Sequence, residues 1–178
     1  QMIVHLGSLF RHNLRTKRQQ ITLEEELDGL EDYIYLQQMR FDGRITVEKS
    51  IRVQPAAVQV PSFMLQPVVE NAYSHGLKSC EEGGRILLRA WMRGSVLVLT
   101  VADNGRGMTA EELDALQARI AQSEQTGRSI GLGNISRRIG MLYPGGKMQV
   151  YSRAGRGTVV RFEIPQTQRT EEREGKPS

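Results

Sequence analysis

The sequence lacks the features that mark disulfide-bonded, membrane-spanning and cysteine-dependent proteins. Cys80 is the sole cysteine, which excludes an intrachain disulfide and a multi-cysteine metal site. It follows Lys78-Ser79 and precedes two acids, a setting that disfavours a nucleophilic thiolate. No apolar run approaches the ~20 residues that span a bilayer. No signal peptide is visible, and we expect the sequence to be a piece of a longer protein.

Excess charge is also scarce outside one short segment. The 178 residues contain 24 basic and 20 acidic side chains, for a net charge of +4. The first 20 residues contain four basic side chains and no acidic one, and so account for the whole excess. A basic surface spread over a nucleic-acid-binding domain is therefore not expected. A solvated helix face, or a helix beside a membrane or a partner, explains the segment.

Several nucleotide-binding and hydrolase motifs are missing. No G-x-x-x-x-G-K-[ST] loop occurs, because Gly146-Lys147 has no glycine at the required upstream spacing. No G-x-G-x-x-G follows a strand and opens a helix, which argues against a dinucleotide fold. H-E-x-x-H, G-x-S-x-G and the eukaryotic kinase H-R-D set are absent too.

The hydrophobic periodicity predicts an α+β chain. Apolar spacing of three and four predicts five helices, and alternation predicts five strands. Thr22 with Glu25, and Thr109 with Glu112, form capping-box patterns at two helix starts. The predicted helices cover 3–14, 23–42, 61–77, 109–122 and 134–142, and the predicted strands cover 45–53, 86–93, 96–102, 148–152 and 158–164.

This order predicts a two-layer sandwich of a mixed, largely antiparallel sheet with helices on one face. We divide the chain into a helical linker at 1–42, a domain at 43–165 and a disordered tail at 166–178. The linker has too little apolar surface to fold alone, so we expect it to pack on the domain or on a second subunit.

Two stretches place polar groups where a ligand could meet them. In Asp103-Asn-Gly-Arg-Gly-Met108, a carboxylate at a strand end can accept from an exocyclic amine, and glycines allow close backbone approach. The same letters also form plain turns. In Glu70-Asn-Ala-Tyr-Ser-His-Gly76, the Asn71 carboxamide is a hard ligand suited to Mg²⁺. Alone, Asn71 and His75 are typical of solvated or hydrogen-bonded polar residues.

Two further stretches are rich in glycine. Gly127–Asn134 leads into a helix, whose N-terminal N–H groups and dipole favour phosphate; a flexible loop is the alternative. Gly155-Arg-Gly-Thr158 fits a hairpin turn. The four stretches in this order are far more specific than any one of them.

Together they resemble the C-terminal region of sensor histidine kinases of the LytS/YesM-like group, over residues 2–165. Leu65–Gly76 resembles the N box of that group. The first, second and third glycine boxes are matched by Asp103–Met108, Gly131–Ile139 and Gly155–Thr158.

The resemblance implies the Bergerat-type ATP fold and a role for each matched residue. Asp103 would accept the adenine amino group, and Asn71, supported by Glu70, would ligate Mg²⁺ between the phosphates. His75 and Lys78 would line the nucleotide, and residues 112–130 would form a lid. The remaining cofactor-binding residues implied in this way are Gly105, Gly107 and Met108 in the first glycine box, Gly131, Leu132, Gly133 and Asn134 in the second, and Thr158 beside the adenine.

The resemblance also implies partners. The cofactors would be ATP and Mg²⁺, and the partners the phosphoacceptor helices of the same protein, in a homodimer, and a response regulator, with no nucleic acid. The domain would be cytoplasmic and its parent anchored in the membrane. No Asn-Pro-His-Phe motif occurs, and neither His5 nor His12 fits the acceptor position. This piece is therefore expected to bind ATP without phosphorylating itself, and 1–42 to be a remnant of the dimerisation region.

Two further departures from the group leave alternatives open. Ser129 stands where glycine is usual, and Ser74 where many histidine kinases have a basic residue, for which Arg128 could substitute. A hydrolysing ATPase of the same fold would carry Glu four residues before Asn71, where this chain has Pro67. A degenerate ATP-binding scaffold that acts through protein contacts is the other alternative.

Overall fold

The computed structural model describes residues 18–78, 80–126 and 131–166. The helix expected over 3–14 lies outside the described residues, as do Ser129, Arg128 and the tail beyond Gln166. In the described part of the chain, no helix combines the length and the apolar character needed to cross a membrane.

Helices and strands alternate irregularly along the described chain. The helices are α1 (Leu23–Arg40), α2 (Gln66–Asn71), α3 (Ala110–Thr126) and α4 (Leu132–Leu142), with a 3₁₀ turn at Pro55–Ala57 and a π-helical turn at Ala72–Gly76 that continues α2. The strands are β1 (Gln20–Thr22), β2 (Ile45–Arg52), β3 (Gln59–Pro61), β4 (Gly84–Arg93), β5 (Val96–Asp103), β6 (Lys147–Arg153) and β7 (Gly157–Pro165).

The main sheet has five strands in the order β2-β4-β5-β7-β6. β2 runs parallel to β4, and every other neighbouring pair in this sheet is antiparallel. The predicted mixed, largely antiparallel sheet is therefore confirmed, as is the central position of the strand that ends at Asp103.

The core lies between one face of this sheet and the helices. Along β4 the buried residues alternate with more exposed ones, so that Ile86, Leu88 and Ala90 point inward while Arg85 and Arg89 point outward. The inward residues of the next two strands of the sheet are buried as well: Leu97, Leu99 and Val101 on β5, and Val160, Phe162 and Ile164 on β7. The helices pack on this inward face. Between them and the ends of the central strands, a cleft remains open.

α1 is an integral part of this core. Its residues Leu23, Leu30 and Ile34 are 0%, 2% and 4% exposed. β1, which leads into α1, pairs antiparallel with β3 in a separate two-stranded sheet. Of the two arrangements expected for the linker, its second helix thus adopts packing on the domain. The boundary between linker and domain at residue 42 stays a prediction. Residues 20–40 pack in the same hydrophobic core as the residues that follow them.

Both capping boxes predicted from the sequence are present. The Thr22 hydroxyl accepts from the Glu25 N–H at 3.1 Å, and the Glu25 carboxylate accepts from the Thr22 N–H at 2.9 Å. Thr109 and Glu112 make the same reciprocal pair at the start of α3. α3 runs to Thr126, beyond the predicted end at 122, and α4 begins at Leu132, two residues before the predicted start.

The prediction of one helix over 61–77 is wrong in its first half. Pro61 ends β3, and residues 62–65 form a turn in which Phe63 has a φ of +56°. The helix begins only at Gln66, with Pro67 in its first turn, where the missing N–H costs least. Local spacing could not reveal the turn, because a carboxylate from α1 holds it in place.

We predict that the Thr22 cap stabilises the domain as a whole. Thr22→Ala removes the acceptor for the Glu25 N–H and should lower the free energy of unfolding by about 1 kcal/mol. Thr22→Ser keeps the hydroxyl and should remain within about 0.5 kcal/mol of the wild type. Urea denaturation followed by far-ultraviolet circular dichroism measures both. Equal losses in the two variants would contradict a hydrogen-bonding role.

Candidate functional site

A large cleft opens beside the central strands, with a volume of about 780 Å³. This size is typical of a site for a small organic ligand. Its floor is formed by the ends of β5, β6 and β7, and its walls by α2 with the π-helical turn, by α3 and by the start of α4. The apolar lining consists of Val68, Ala72, Val101, Met108, Ala115, Leu116, Ile120, Leu132, Val150 and Val160.

Asp103 is the carboxylate at the floor of the cleft. The Gly105 N–H donates to its Oδ1 atom at 2.9 Å. Burial raises the pKa of Asp103 above the ordinary 3.8, and hydrogen bonds from the backbone N–H groups of Gly105 and Thr158 oppose that rise. The site therefore holds a half-buried acceptor able to pair with a donor on a ligand.

Main-chain segments meet around Asp103 more closely than a side chain would allow. A Cβ atom on Gly105 would lie 2.1 Å from the Gly76 carbonyl oxygen, and one on Gly157 would lie 1.9 Å from the Asp103 carbonyl oxygen. The Arg106 N–H also donates to the Gly76 carbonyl at 3.0 Å. The glycines thus bring the π-helical turn, β5 and β7 into direct backbone contact.

The next glycine joins the same floor to β6. Gly107 has a φ of +64°, and a Cβ atom there would lie 2.0 Å from the Arg153 carbonyl oxygen. The following N–H, of Met108, donates to the Ser152 hydroxyl at 2.9 Å. The Thr158 hydroxyl is itself 2.9 Å from Ser152 Oγ, so Ser152 joins the chain after β5 to the β6–β7 hairpin.

Asn71 and His75 border the cleft from the wall formed by α2 and the π-helical turn. Asn71 is half-buried and His75 is exposed. The wider π-helical turn begins directly after Asn71. Both residues nevertheless face one cleft, as their spacing predicts, and Asn71 brings a carboxamide into the same cavity as the Asp103 carboxylate.

The opposite wall ends in the N-terminus of α4. Gly131, with a φ of +80°, precedes the helix and makes no side-chain cap, and Gly131, Leu132 and Gly133 border the cleft. The first N–H groups of an uncapped helix carry partial positive charge and attract anions. This end of the cleft is therefore suited to a negatively charged group.

α3 and the segment before it add polar side chains to which the sequence analysis assigned no binding role. Arg106, which precedes α3, and Glu112, Arg119 and Gln122 on α3 border the cleft, and Arg106 pairs with Glu112 at 3.2 Å. Arg119 is exposed and lies two turns after Glu112, so helical periodicity alone places it on the cleft side of α3. Both arginines add positive charge to the cleft.

The structure brings together most of the residues suggested by the sequence. Those that border the cleft are Asn71, His75, Asp103, Gly107, Met108, Gly131, Leu132, Gly133 and Thr158. Gly105 lies beneath the floor, against Gly76. Glu70, Lys78 and Asn134 are exposed and do not border it. The role assigned to each residue stays a prediction.

Two family models match the chain. The model described as "Histidine kinase-, DNA gyrase B-, and HSP90-like ATPase" matches residues 62–168, and the model described as "Histidine kinase" matches residues 1–45. The first match covers every residue that we have described around the cleft.

Curated relatives are similar over nearly the whole chain. The sensor histidine kinase YpdA of Escherichia coli K12 is 33% identical over 96% of this chain, and the sensor protein LytS of Staphylococcus saprophyticus is 34% identical over 93%. The chain spans only 29% and 28% of these two proteins.

Solved structures share the fold. The histidine kinase domain of a blue-light activated kinase from Erythrobacter litoralis superposes with a TM-score of 0.58 at 22% identity, over 94% of this chain and 74% of that one. The histidine kinase ThkA, solved in complex with the response regulator TrrA, gives 0.54 at 15% identity, over 93% and 48%. At these identities the likeness shows the α+β fold and no more.

We predict that position 107 requires glycine for two reasons: its backbone angle φ is positive, and a Cβ atom there would collide with the Arg153 carbonyl oxygen. Gly107→Ala and Gly94→Ala impose similar strain, because φ is +64° and +62°, but only Gly107 has a carbonyl where Cβ would lie. Gly94→Ala should cost about 1 kcal/mol, and Gly107→Ala a further ~1–3 kcal/mol. Urea denaturation measures both. Equal losses of unfolding free energy in Gly107→Ala and Gly94→Ala would show that a small backbone shift relieves the contact with the Arg153 carbonyl.

We also predict a pH signature for the buried Asp103 carboxylate. Since its pKa is raised on folding, the folded state binds more protons than the unfolded state from about pH 4 up to the raised value. Its contribution to stability therefore falls as the pH rises through that window. Asp103→Asn removes this contribution, so the unfolding free energy of the variant minus that of the wild type should increase with pH and then level off. A difference in unfolding free energy that stays constant or decreases as the pH rises would contradict a raised pKa of Asp103.

Proposed function

This chain belongs to the family of histidine kinase-, DNA gyrase B- and HSP90-like ATPases, as a domain homologous to sensor kinases such as LytS, and from that premise we propose that it binds Mg·ATP in its cleft and donates the γ-phosphoryl group to a histidine. The observation that carries the proposal is that Asp103 and Asn71 border one cavity of about 780 Å³. The two side chains are 32 residues apart in the sequence and come from a strand and a helix.

The floor of the cleft suits an adenine base. Asp103 is a half-buried acceptor, and an ionised carboxylate accepts strongly from an exocyclic amino group. Val101, Val160 and Met108 surround it with apolar surface, which favours a flat ring. The glycine contacts fix the carboxylate before any ligand arrives, so little ordering is required on binding.

The other end of the cleft suits a triphosphate. The uncapped start of α4 offers N–H groups, and Arg106 and Arg119 add positive charge. The Asn71 carboxamide is an oxygen donor of the kind that Mg²⁺ prefers. The described residues contain no cluster of three His, Cys, Asp or Glu side chains, so an ion at Asn71 would take its other ligands from phosphate and water.

In this role the domain positions the nucleotide and contributes no nucleophile of its own. Bound Mg²⁺ would neutralise charge on the phosphates. Asn71, the α4 N-terminus and the cleft arginines would hold the terminal phosphate, and Asp103 would fix the opposite end of the nucleotide. Such positioning, with charge neutralisation, supplies most of the catalysis in phosphoryl transfer.

The wider role of the protein is part of the proposal, because the chain spans less than a third of its curated relatives. The acceptor would be a histidine on helices of the same protein, working as a homodimer, and the phosphoryl group would pass to a response regulator. The relatives' names as sensor kinases, and a fold shared with a kinase solved beside a response regulator, support this. The parent protein would be anchored in the membrane, with this domain in the cytoplasm.

Nothing in the comparisons supports a degenerate scaffold. The hydrolytic alternative requires a carboxylate one turn before Asn71, and Pro67 occupies that position in the first turn of α2. Phosphoryl transfer to a protein histidine therefore remains the single proposed reaction.

We predict a distinct binding defect for each end of the cleft. Asp103→Asn should weaken nucleotide binding about 10- to 100-fold with or without Mg²⁺, because a charged hydrogen bond is lost. Asn71→Ala should weaken binding by a similar factor only when Mg²⁺ is present. Isothermal titration calorimetry with ATP, in Mg²⁺ and in EDTA, separates the two. Asp114→Asn, an exposed change on α3, is the control.

Phosphoryl transfer is then tested with labelled ATP and a separate segment of the parent protein that carries the acceptor histidine. Label should move to that segment with the wild type and not with Asn71→Ala. Mg·ATP binding without transfer would favour the scaffold. Absence of nucleotide binding in the wild type would reject the kinase and favour a scaffold that acts through protein contacts.

A further inference from the structure

A buried carboxylate on α1 organises the turn that precedes the Asn71 helix. Glu26 is 4% exposed, although it belongs to a run of acidic residues at the start of α1. Its Oε2 atom accepts from the Phe63 N–H at 2.8 Å, and its Oε1 atom accepts from the Met64 and Leu65 N–H groups at 2.8 Å each. These partners are 37 to 39 residues away in sequence.

Those three hydrogen bonds hold a conformation that the turn would not adopt by itself. Phe63 has a φ of +56°, which is unfavourable for a residue with a bulky side chain. Three successive N–H groups converge on one carboxylate, and removal of the acceptor would leave them buried without partners. Leu65 then accepts the first two bonds of α2, from Val68 and Val69. The position of Asn71 thus follows from that of Glu26.

The same turn is tied to the opposite wall of the cleft by Arg138. Arg138 lies on α4, and its guanidinium donates to the carbonyl oxygen and to the hydroxyl of Ser62. Burial lowers the pKa of Arg138, and the negative charge of Glu26 opposes that change. Glu26 and Arg138 thus both bond to the 62–65 turn, and these hydrogen bonds connect α1, the turn and α4.

The two elements that the pair connects are the ones that border the polar end of the cleft. Asn71 stands at the end of α2, and Leu132 and Gly133 form the first turn of α4, five residues before Arg138. Asp103 is held separately, by backbone contacts with glycines. The network therefore acts first on the polar end of the cleft, and it reaches Asp103 only through the π-helical turn that continues α2.

We propose that Glu26 is a positioning residue that, through the 62–65 turn and Arg138, sets the distance between Asn71 and the start of α4, and so couples α1 to the phosphate end of the cleft. The part of this inference that concerns ATP rests on the proposed function. The part that concerns the two walls does not. α1 lies within the segment that the histidine kinase model matches, residues 1–45, and displacement of α1 would reach the cleft by this route.

Glu26→Gln tests the proposal with little change in shape. The carboxamide keeps one oxygen, but its NH₂ group opposes an N–H donor of the turn, and Arg138 loses its counter-charge. Leu30→Ala, in the core of the same helix, is the matched control, because it lowers stability and removes no hydrogen-bond partner of the turn. Glu24→Gln is the control for an exposed acid of α1.

The first readout is hydrogen exchange in the free protein, which requires no nucleotide. Glu26→Gln should speed exchange about tenfold or more at Val68 and Val69, and at Asn134 and Ile135, whose N–H groups bond to Gly131. Amides of the central strand β5 should change far less. Leu30→Ala should instead speed exchange throughout the core. A uniform change in Glu26→Gln, or none at these four amides, would overturn the inference whether or not the protein binds ATP.

The second readout compares nucleotides at a temperature where every variant is folded. Glu26→Gln should raise the Kd for Mg·ATP on the order of tenfold and alter the Kd for ADP in EDTA by less than about twofold. Arg138→Gln should act similarly, and the double variant should lose no more than the stronger single one, because both act through one turn. Equal losses for both nucleotides, additive losses, or the same shift in Leu30→Ala would assign Glu26 to general stability.

Discussion

The cleft depends on backbone contacts that only glycine permits. Three segments, the π-helical turn, the end of β5 and the start of β7, meet around Asp103 with no room for a Cβ at Gly105 or Gly157. Because main chain contacts main chain, the carboxylate has a fixed position without help from large side chains. The inward side chains of β4, β5 and β7 anchor this floor in a fully buried core. The packing of the central sheet therefore determines where the Asp103 carboxylate lies.

The polar end of the cleft is held by a different kind of interaction. There the walls are short helical segments, and buried charge rather than glycine packing sets their positions. Glu26 and Arg138 approach one turn from opposite sides, and each supplies hydrogen bonds that the backbone could not satisfy alone. Burying charge in this way costs desolvation and adds specificity, because few other geometries satisfy all of the hydrogen bonds. The two ends of the site are thus held by different kinds of interaction, although the π-helical turn that continues α2 also reaches Asp103.

The sequence predicted best what is decided locally. The capping boxes at Thr22 and Thr109 were visible because each needs only residues three apart, and both hairpins follow from period-two alternation closed by glycine. The floor of the cleft was also foreseen, since Asp103 and its glycines are contiguous. The turn at 62–65 was missed because its hydrogen-bond partner is Glu26, nearly 40 residues earlier. Glu26 is one of three consecutive acidic residues in the first turn of α1, and the local pattern does not distinguish it from the other two. Arg119 was missed because no motif includes it.

The division of the site has a consequence for selectivity among nucleotides. In the proposed function, Asp103 and its apolar neighbours would contribute equally to any ligand with the same base, so they would raise affinity without distinguishing chain lengths of phosphate. Discrimination would come from groups that meet only the terminal phosphate, on the walls whose positions we attribute to Glu26 and Arg138. A change in α1 would then alter which nucleotide is held productively, while the base remains bound. On this proposal, the position of α1 determines whether the terminal phosphate of a bound nucleotide is placed to react.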